Sequence, residues 1–314
     1  MASNRPLTSI ELHDRMERVD ADGEVPEELR ALWSDLSTIY EPPEVTIEKG
    51  VGELVELSPK RPSWVASAIT PLMAPPPPPR PLLHHRDRPV DPLIIFLPEN
   101  RRGYDDTRYP WVLACKIFPG GGGNGSGVIV GPRHVLTASH VVNWGGTAET
   151  IEVHRAGGIV QATARTVRRW AFTKITGSVT SHNVDEDYAV LVTDQRIGDR
   201  FGWMGVREYD SGWDDETWWR NIGYPPDIAS GSFPAYQRDR WLDEDEWDFG
   251  SGRAMNTDAD LTPGNSGGPM FAFWDDGPYV VAVASAEDVP ETDNWCSGGS
   301  DLPRLVNHAR SADP

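Results

Sequence analysis

The sequence predicts an all-β fold for the larger part of the chain, from about residue 90 to the end. Short apolar runs rich in β-branched and aromatic residues alternate there with Gly, Pro, Asn and Asp, which is typical of a β-barrel or sandwich. A closing helix is predicted at the end, with Asp301 as its N-cap and Ala309 in its last turn. The predicted strands include residues 111–118, 127–130, 135–138, 151–154, 188–193, 270–273 and 279–284.

Composition narrows the range of partners. The chain has 314 residues with 38% hydrophobic and 25% charged, enough for two compact globular units. Its formal net charge of −19 predicts a surface that repels nucleic acid and anionic membranes, so neither is expected as a partner. Cys115 and Cys296 are too few for a disulfide scaffold or a structural zinc site, and whether they pair is left open. No metal or organic cofactor is expected.

The chain is expected to have three parts. Residues 1–73 form a small, mainly helical N-terminal region, residues 74–96 a proline-rich linker, and residues 97–314 the β-rich domain. No signal peptide and no membrane-length apolar run are visible. The expected location is therefore cytoplasmic, or secreted if a leader was removed.

Two helices are predicted in the N-terminal region. Thr8 or Ser9 is suited to cap the first, which is expected to end near Gly23. The second is predicted over residues 26–40, with its leucines on one face and two prolines after its last turn.

A serine lies at the centre of a segment of small residues. Residues 262–269 have the sequence TPGNSGGP, in which Gly264 stands two positions before Ser266 and another glycine two positions after it. Such a segment turns sharply enough to expose a hydroxyl and leaves N–H groups free to bind an oxyanion. We predict Ser266 as a nucleophile and the N–H groups of Gly264 and Ser266 as its oxyanion hole.

A histidine and an aspartate precede this serine in the chain. His140 follows an apolar strand, and Asp187 directly precedes another. We predict that His140 takes the serine proton as a general base and that Asp187 fixes its tautomer and stabilises the imidazolium. His134 is expected on the surface, and His154 and His182 lie in no recognisable motif.

These segments resemble the trypsin-like serine peptidases, and among them the bacterial glutamyl endopeptidases. The order His, Asp, Ser is also that of the chymotrypsin-like proteases. The resemblance covers roughly residues 97–310 and implies two six-stranded antiparallel β-barrels, with the triad between them and a polypeptide as substrate. It rests on residues 125–130 (GSGVIV), 135–142 (VLTASHVV) and 258–269 (DADLTPGNSGGP), with further similarity at 202–205 and 221–227.

The resemblance also implies roles around the triad. Ser285 matches the serine that supports the catalytic aspartate. Leu261 and Ala284 stand where glutamyl endopeptidases usually carry groups that bind a substrate carboxylate, so cleavage after glutamate is in doubt. Asp260 and Glu287 favour a basic substrate side chain, whereas Leu261 and Ala284 suit a hydrophobic or small one. The preference stays open, with a basic side chain slightly favoured.

Activation is expected to differ from that of the digestive trypsins. They have an aspartate before the nucleophile that pairs with a new N-terminal ammonium, whereas Asn265 carries no charge. Arg101 and Arg102, expected in a polar loop, form a candidate processing site. Cleavage there would make the chain a zymogen inhibited by its own N-terminal region. The alternative is an ordinary loop and a permanently attached region that positions the enzyme.

Two other functions are retained as alternatives. One is a binding protein on an inactive protease fold. The other is an α/β-hydrolase esterase, which requires a helix after the nucleophile and a histidine downstream. A strand is predicted after Ser266 instead, and the later histidine is His308. The tryptophans between residues 203 and 247 are interpreted as core, with a substrate-lining surface as the alternative.

Overall fold

The computed structural model describes residues 4–15, 18–30, 40–75, 99–244, 250–287 and 294–314. Its helices within these ranges are α1 (Ser9–Asp14), α2 (Glu27–Arg30), α3 (Ile197–Phe201) and α4 (Asp301–Ala312). None of them is long and apolar enough to cross a membrane. The strands are β1 (Glu44–Thr46), β2 (Arg102–Gly103), β3 (Ala114–Phe118), β4 (Gly125–Gly131), β5 (His134–Thr137), β6 (Thr150–Val153), β7 (Ala162–Ala171), β8 (Ala189–Thr193), β9 (Gly205–Val206), β10 (Trp219–Gly223), β11 (Ala235–Arg240), β12 (Leu242–Glu244), β13 (Arg253–Thr257), β14 (Pro269–Trp274), β15 (Gly277–Glu287) and β16 (Asn294–Gly298).

Six antiparallel strands close into the first barrel. Their order is β7, β6, β3, β4, β5 and β8, and pairing of β7 with β8 completes the ring. Ile117, Ile129 and Leu136 fill its interior and are fully buried, as expected for branched side chains on a pleated, closed sheet. The N-terminal region adds β1 in parallel along β7, beyond the part of β7 that pairs with β6.

The second sheet curls around a separate core. Its strands follow the order β12, β13, β16, β15, β14, β10, β11 and β2, with β9 in parallel beside β15. Among the described pairings it forms a half-barrel rather than a closed ring. The all-β chymotrypsin-type fold with a C-terminal helix is confirmed, with one closed six-stranded barrel and a half-barrel where a second six-stranded barrel was predicted. The α/β-hydrolase alternative is wrong, because the strand β14 follows the serine segment and the two sheets are built mainly of antiparallel pairs.

Aromatic side chains form most of this second core. Trp213 lies edge-on to Trp274 with ring centroids 5.6 Å apart, and Trp219 and Tyr209 pack beside them. Trp213, Trp218 and Trp219 are all buried. The interpretation of these three tryptophans as core is therefore confirmed.

The described part of the N-terminal region contains less helix than predicted. Thr8 caps α1 as expected: its hydroxyl accepts from the Glu11 N–H, and the Glu11 carboxylate accepts from the Thr8 N–H. However, α1 ends at Asp14 rather than near Gly23, because Val19 pairs with Ser67 as an extended bridge. Residues 31–39 of the predicted second helix and most of the predicted linker lie outside the described residues.

The described residues between positions 4 and 75 are attached to both sheets and to the C-terminal helix. The Leu7 N–H donates to the Phe273 carbonyl at 2.7 Å, and Leu57 pairs with Val206. The Gly50 N–H donates to the Asp301 carboxylate at 3.2 Å, so Asp301 binds the N-terminal region instead of capping α4. The described N-terminal residues are thus built into the domain surface.

A buried ion cluster joins β1 to the first barrel. Arg169 and Glu149 are both 0% exposed. The Arg169 guanidinium donates to Glu149 at 3.0 Å, to Glu44 of β1 at 2.9 Å and to the Thr147 carbonyl at 2.7 Å. Because the Arg169 guanidinium and the Glu149 carboxylate are both removed from water, each of these charges depends on the other for compensation.

Arg169→Met is expected to lower the free energy of unfolding by about 3–5 kcal/mol, because it leaves the Glu149 carboxylate buried without a counter-ion. Urea denaturation measures this loss. Arg168→Met is the matched control: Arg168 is 38% exposed and pairs with Asp313 at 2.9 Å. A pair this exposed is worth about 0.2–1 kcal/mol. Equal losses for the two variants would contradict the ion-cluster interpretation.

His134 is buried, so its predicted surface position is wrong. It is 0% exposed, and its ring Nε2 lies 3.2 Å from the Ala309 carbonyl of α4. Helix α4 covers the turn that carries His134, which the local sequence does not reveal. Burial, with a smaller contribution from the Arg310 charge, lowers the pKa of His134 from its usual 6.5 to about 4.

This lowered pKa predicts a loss of stability in acid. Between about pH 6.5 and 4 the unfolded chain binds a proton at His134 and the folded chain does not. The stability contribution is therefore fully present above pH 6.5 and is lost as the pH falls towards 4, by about 1.4 kcal/mol per pH unit. Urea denaturation at pH 7 and pH 5 should show a smaller loss for His134→Gln than for the wild type. His182→Gln, at an exposed position, should lose as much as the wild type.

Candidate active site

His140 and Asp187 lie side by side at one end of the first barrel. His140 follows β5 in a short turn, and Asp187 stands two residues before β8, which is paired with β5. His140 Nδ1 is 2.6 Å from Asp187 Oδ2, and the His140 backbone N–H donates to Oδ1 at 2.9 Å. The Asp187 carboxylate is fully buried, while the His140 side chain is 22% exposed. The aspartate therefore fixes the ring from behind and leaves its other edge accessible.

Ser285 adds a contact from the second sheet. Its hydroxyl donates to Asp187 Oδ2 at 2.5 Å. The carboxylate thus accepts hydrogen bonds from groups of both barrels, which restricts its rotation.

Ser266 lies in the loop before β14. This loop is hydrogen-bonded to strands of both barrels. The Ser126 N–H of β4 donates to the Ser266 carbonyl at 2.8 Å. The Gly267 N–H donates to the Ala284 carbonyl of β15 at 2.8 Å, one residue before Ser285. The backbone around Ser266 is thus held between the two sheets.

Two glycines allow this close approach. Gly267 has φ +82°, and a Cβ there would overlap Thr137 Oγ1 of β5, the strand that leads to His140. Gly264 has φ +97°, and a Cβ there would lie 2.7 Å from the Tyr224 carbonyl. Neither position accommodates a side chain without rearrangement. In the described structure the Ser266 hydroxyl makes no hydrogen bond to His140, a bond that often tightens only when substrate binds.

Two N–H groups beside the serine remain available. Within the described part of the chain, the N–H groups of Gly264 and Ser266 donate to no protein acceptor. The alternate N–H groups are used: Asn265 donates to the Thr262 carbonyl at 2.9 Å, and Gly267 to Ala284. The predicted oxyanion donors are therefore free to bind a ligand oxygen.

The candidate specificity residues lie around this loop. Asp260 is 0% exposed, Leu261 5% and Ala284 1%. Gln237 of β11 fixes the Asp260 backbone on both sides, accepting from its N–H at 3.0 Å and donating to its carbonyl at 2.9 Å. Glu287 is the last residue of β15, and its side chain lies outside the described part of the structure.

Arg101 is not in a solvated polar loop, so that expectation is wrong for this residue. Its side chain is 0% exposed, and its guanidinium binds Glu99, Asp227 and Thr262. Arg102, the next residue, is exposed in β2. Cleavage at this pair stays a prediction, and it would have to occur beside a buried arginine that is paired with Glu99 and Asp227.

Sequence analysis missed Ser126 as a site residue. Its hydroxyl accepts from the Tyr224 N–H at 2.8 Å and donates to the Gly264 carbonyl at 2.6 Å. It therefore ties the serine loop to strands of both barrels. The available signal was a short polar side chain between two glycines at the start of an apolar strand.

The two cysteines are free and buried, one in each sheet. Burial raises the pKa of both thiols, so they behave as small apolar side chains. The pairing that the sequence left open is not formed. Within the described ranges, no group of three or more His, Cys, Asp or Glu side chains is arranged to hold a metal ion.

This fold and this cluster of residues define a two-barrel serine peptidase. Residues 125–283, about half of the chain, match the family model of the trypsin-like peptidase domain. The chain therefore belongs to the trypsin-like peptidase family, and it is a serine-type endopeptidase, a hydrolase of peptide bonds. A comparison with curated proteins gives no match.

Solved structures share the fold at low sequence identity. A Glu endopeptidase in complex with MPD superposes with a TM-score of 0.55 at 19% identity, over 68% of this chain and 97% of that one. The protease Anisep from Arthrobacter nicotinovorans has a TM-score of 0.49 at 20% identity, over 64% of this chain and 97% of its own. The first of these similarities supports the fold and leaves the chemistry to be argued from the site.

Proposed function

We propose that this chain cleaves peptide bonds through Ser266, His140 and Asp187, by way of an acyl-enzyme. One observation carries the proposal: the buried Asp187 carboxylate is bound both to His140 of the first barrel and to Ser285 of the second, beside the loop that presents Ser266. An inactive binding protein would not need this desolvated carboxylate behind a partly exposed imidazole.

The proposed reaction has two halves. Ser266 Oγ attacks the scissile carbonyl carbon while His140 Nε2 takes its proton, and the N–H groups of Gly264 and Ser266 bind the resulting oxyanion. His140 then returns the proton to the leaving amine as the C–N bond breaks. A water molecule then attacks the acyl carbon while His140 takes one of its protons, and His140 returns that proton to Ser266 Oγ as the ester C–O bond breaks and the acid product is released. Asp187 holds the imidazole tautomer and stabilises the imidazolium throughout.

The proposed substrate preference is a basic side chain before the cleaved bond. Asp260 supports this because it places an acidic side chain among the candidate pocket residues, it is buried, and Gln237 fixes its backbone. Leu261 and Ala284 supply apolar walls that suit the stem of a lysine or arginine. A peptide library should show cleavage after Lys and Arg. Asp260→Ser should lower kcat/KM for those peptides roughly 10²-fold while sparing peptides with apolar side chains at the same position.

The N-terminal region is proposed to position the enzyme rather than inhibit it. Glu44 binds Arg169 at 2.9 Å and Lys174 at 2.8 Å, and accepts from the Gly145 N–H in the loop that follows His140. None of the hydrogen bonds and ion pairs of the described residues 4–15, 18–30 and 40–75 is made with His140, Asp187 or Ser266. These contacts favour an N-terminal region that stays attached and holds the loop after His140 in place.

Labelling with a fluorophosphonate probe tests the proposed function. The full-length wild type should be labelled, and Ser266→Ala should not. Release of fluorescence from labelled casein should follow the same pattern. Absence of both labelling and hydrolysis, before and after limited proteolysis of a folded sample, would favour the inactive binding protein.

A further inference from the structure

We infer that Arg101 is a positioning residue that orders the serine loop, in the role that other enzymes of this architecture give to an amino terminus created by cleavage. This inference rests on the proposed function of Ser266. It predicts that the chain is competent without being cut.

The Arg101 guanidinium is held on all its polar edges. Nη1 donates to Thr262 Oγ1 at 2.9 Å, and Nη2 donates to Asp227 at 2.6 Å and to Glu99 at 2.7 Å. Nε donates to Glu99 at 3.1 Å. With a side chain that is 0% exposed, this planar fork joins two carboxylates and one hydroxyl in a defined geometry.

Thr262 connects Arg101 to the loop that carries Ser266. Its hydroxyl accepts from Arg101 and donates to Asp227 at 3.0 Å, so both its roles are used. Its carbonyl accepts from the Asn265 N–H at 2.9 Å, and its N–H donates to Asn265 Oδ1 at 3.3 Å. These bonds close a turn that contains Gly264, the proposed oxyanion donor, and ends directly before Ser266.

The charge needed to hold this turn is therefore already inside the uncut chain. Asn265 carries a neutral amide and so offers no carboxylate to an incoming ammonium. That amide is also engaged, with Asn221 at 3.2 Å and with Thr262 at 3.3 Å. The ion pair next to this turn is instead the one between Arg101 and Asp227, and Thr262 connects it to the turn. Loss of the guanidinium would leave Asp227 and the Thr262 hydroxyl without their cation and release the start of the turn.

Three full-length variants test the inference by the rate of fluorophosphonate labelling and by kcat and KM for a cleaved peptide. Arg101→Met should lower the labelling rate and kcat by roughly 10²-fold, the scale of one lost oxyanion donor, with KM changed much less. Arg101→Lys should recover part of the loss, since it keeps the charge but not the fork. Arg102→Met, at the exposed neighbouring position, is the control and should match the wild type.

The wild type should be labelled as the full chain, with an intact mass that shows no cut. Labelling that appears only on a processed chain would overturn the inference. So would wild-type kcat in a cooperatively folded Arg101→Met. If Arg101→Met does not fold, Thr262→Val keeps the guanidinium and its carboxylates and removes the link to the loop; it should lower kcat alike, and unchanged kcat would overturn the inference.

These outcomes separate the two proposals. If Ser266 is labelled but the Arg101 and Thr262 variants keep the wild-type labelling rate and kcat, only the positioning role of Arg101 is rejected. A wild type that neither labels nor hydrolyses peptide rejects the proposed function itself.

Discussion

Ser266→Ala is expected to lower kcat on the order of 10⁶-fold, and His140→Ala by a similar factor. Without the serine hydroxyl no acyl-enzyme forms, and without the imidazole nothing takes the hydroxyl proton at neutral pH. Because the two groups act in one step, the double variant should be no slower than either single one. The residual rate would come from oxyanion binding and from substrate alignment.

Initial rates on a cleaved peptide give these values, with the enzyme concentration taken from fluorophosphonate titration for the wild type and from protein absorbance for the variants. Ser181→Ala is the matched control and should retain wild-type kcat, because Ser181 is exposed and makes no hydrogen bond to His140, Asp187 or Ser266 among the described residues. Two results would contradict the assigned roles. One is a loss of kcat in the double variant equal to the product of the two single losses, and the other is a Ser266→Ala rate greater than one hundredth of the wild-type rate.

Asp187→Asn is expected to lower kcat by about 10⁴-fold with little change in KM. The carboxylate accepts at His140 Nδ1, so the ring carries its proton there and keeps Nε2 free to accept from Ser266. An asparagine amide that turns its NH₂ towards Nδ1 would reverse the tautomer. In this variant the His140 backbone N–H and the Ser285 hydroxyl, which donate to the two different carboxylate oxygens of Asp187, each favour the amide oxygen on their own side. The two donors therefore compete for the single amide oxygen.

Ser285→Ala is the comparison for this variant. It removes one donor from Asp187 but leaves both contacts with His140. A loss of about tenfold in kcat is therefore expected, in keeping with a single hydrogen bond to a charged group. If Ser285→Ala were as slow as Asp187→Asn, the serine would have to act directly on the reacting groups.

Local patterns in the sequence were sufficient for most of the fold and for the candidate triad. The short strands of the first barrel were predicted from alternating apolar runs, since period and turn residues act over only a few positions. The glycines around Ser266 were also informative by themselves, because positive φ values and close approach to Tyr224 and Thr137 exclude a Cβ. Some strands, among them β7 and β13, carry mixed polar sequences and gave no such signal.

The environments of single polar residues depended on distant parts of the chain. Arg101 has a sequence typical of a surface loop, yet its partners lie 126 and 161 positions further on, at Asp227 and Thr262. His134 similarly meets a carbonyl of α4 175 positions away.

The sequence by itself determined the turns, the strands and the residue types suited to acyl transfer, because these depend on neighbours in the chain. Only the tertiary structure decided which polar groups lose their water and which partner replaces it. Burial and charge pairing are properties of surfaces that meet across the two barrels, and no local pattern encodes where the opposite surface comes from.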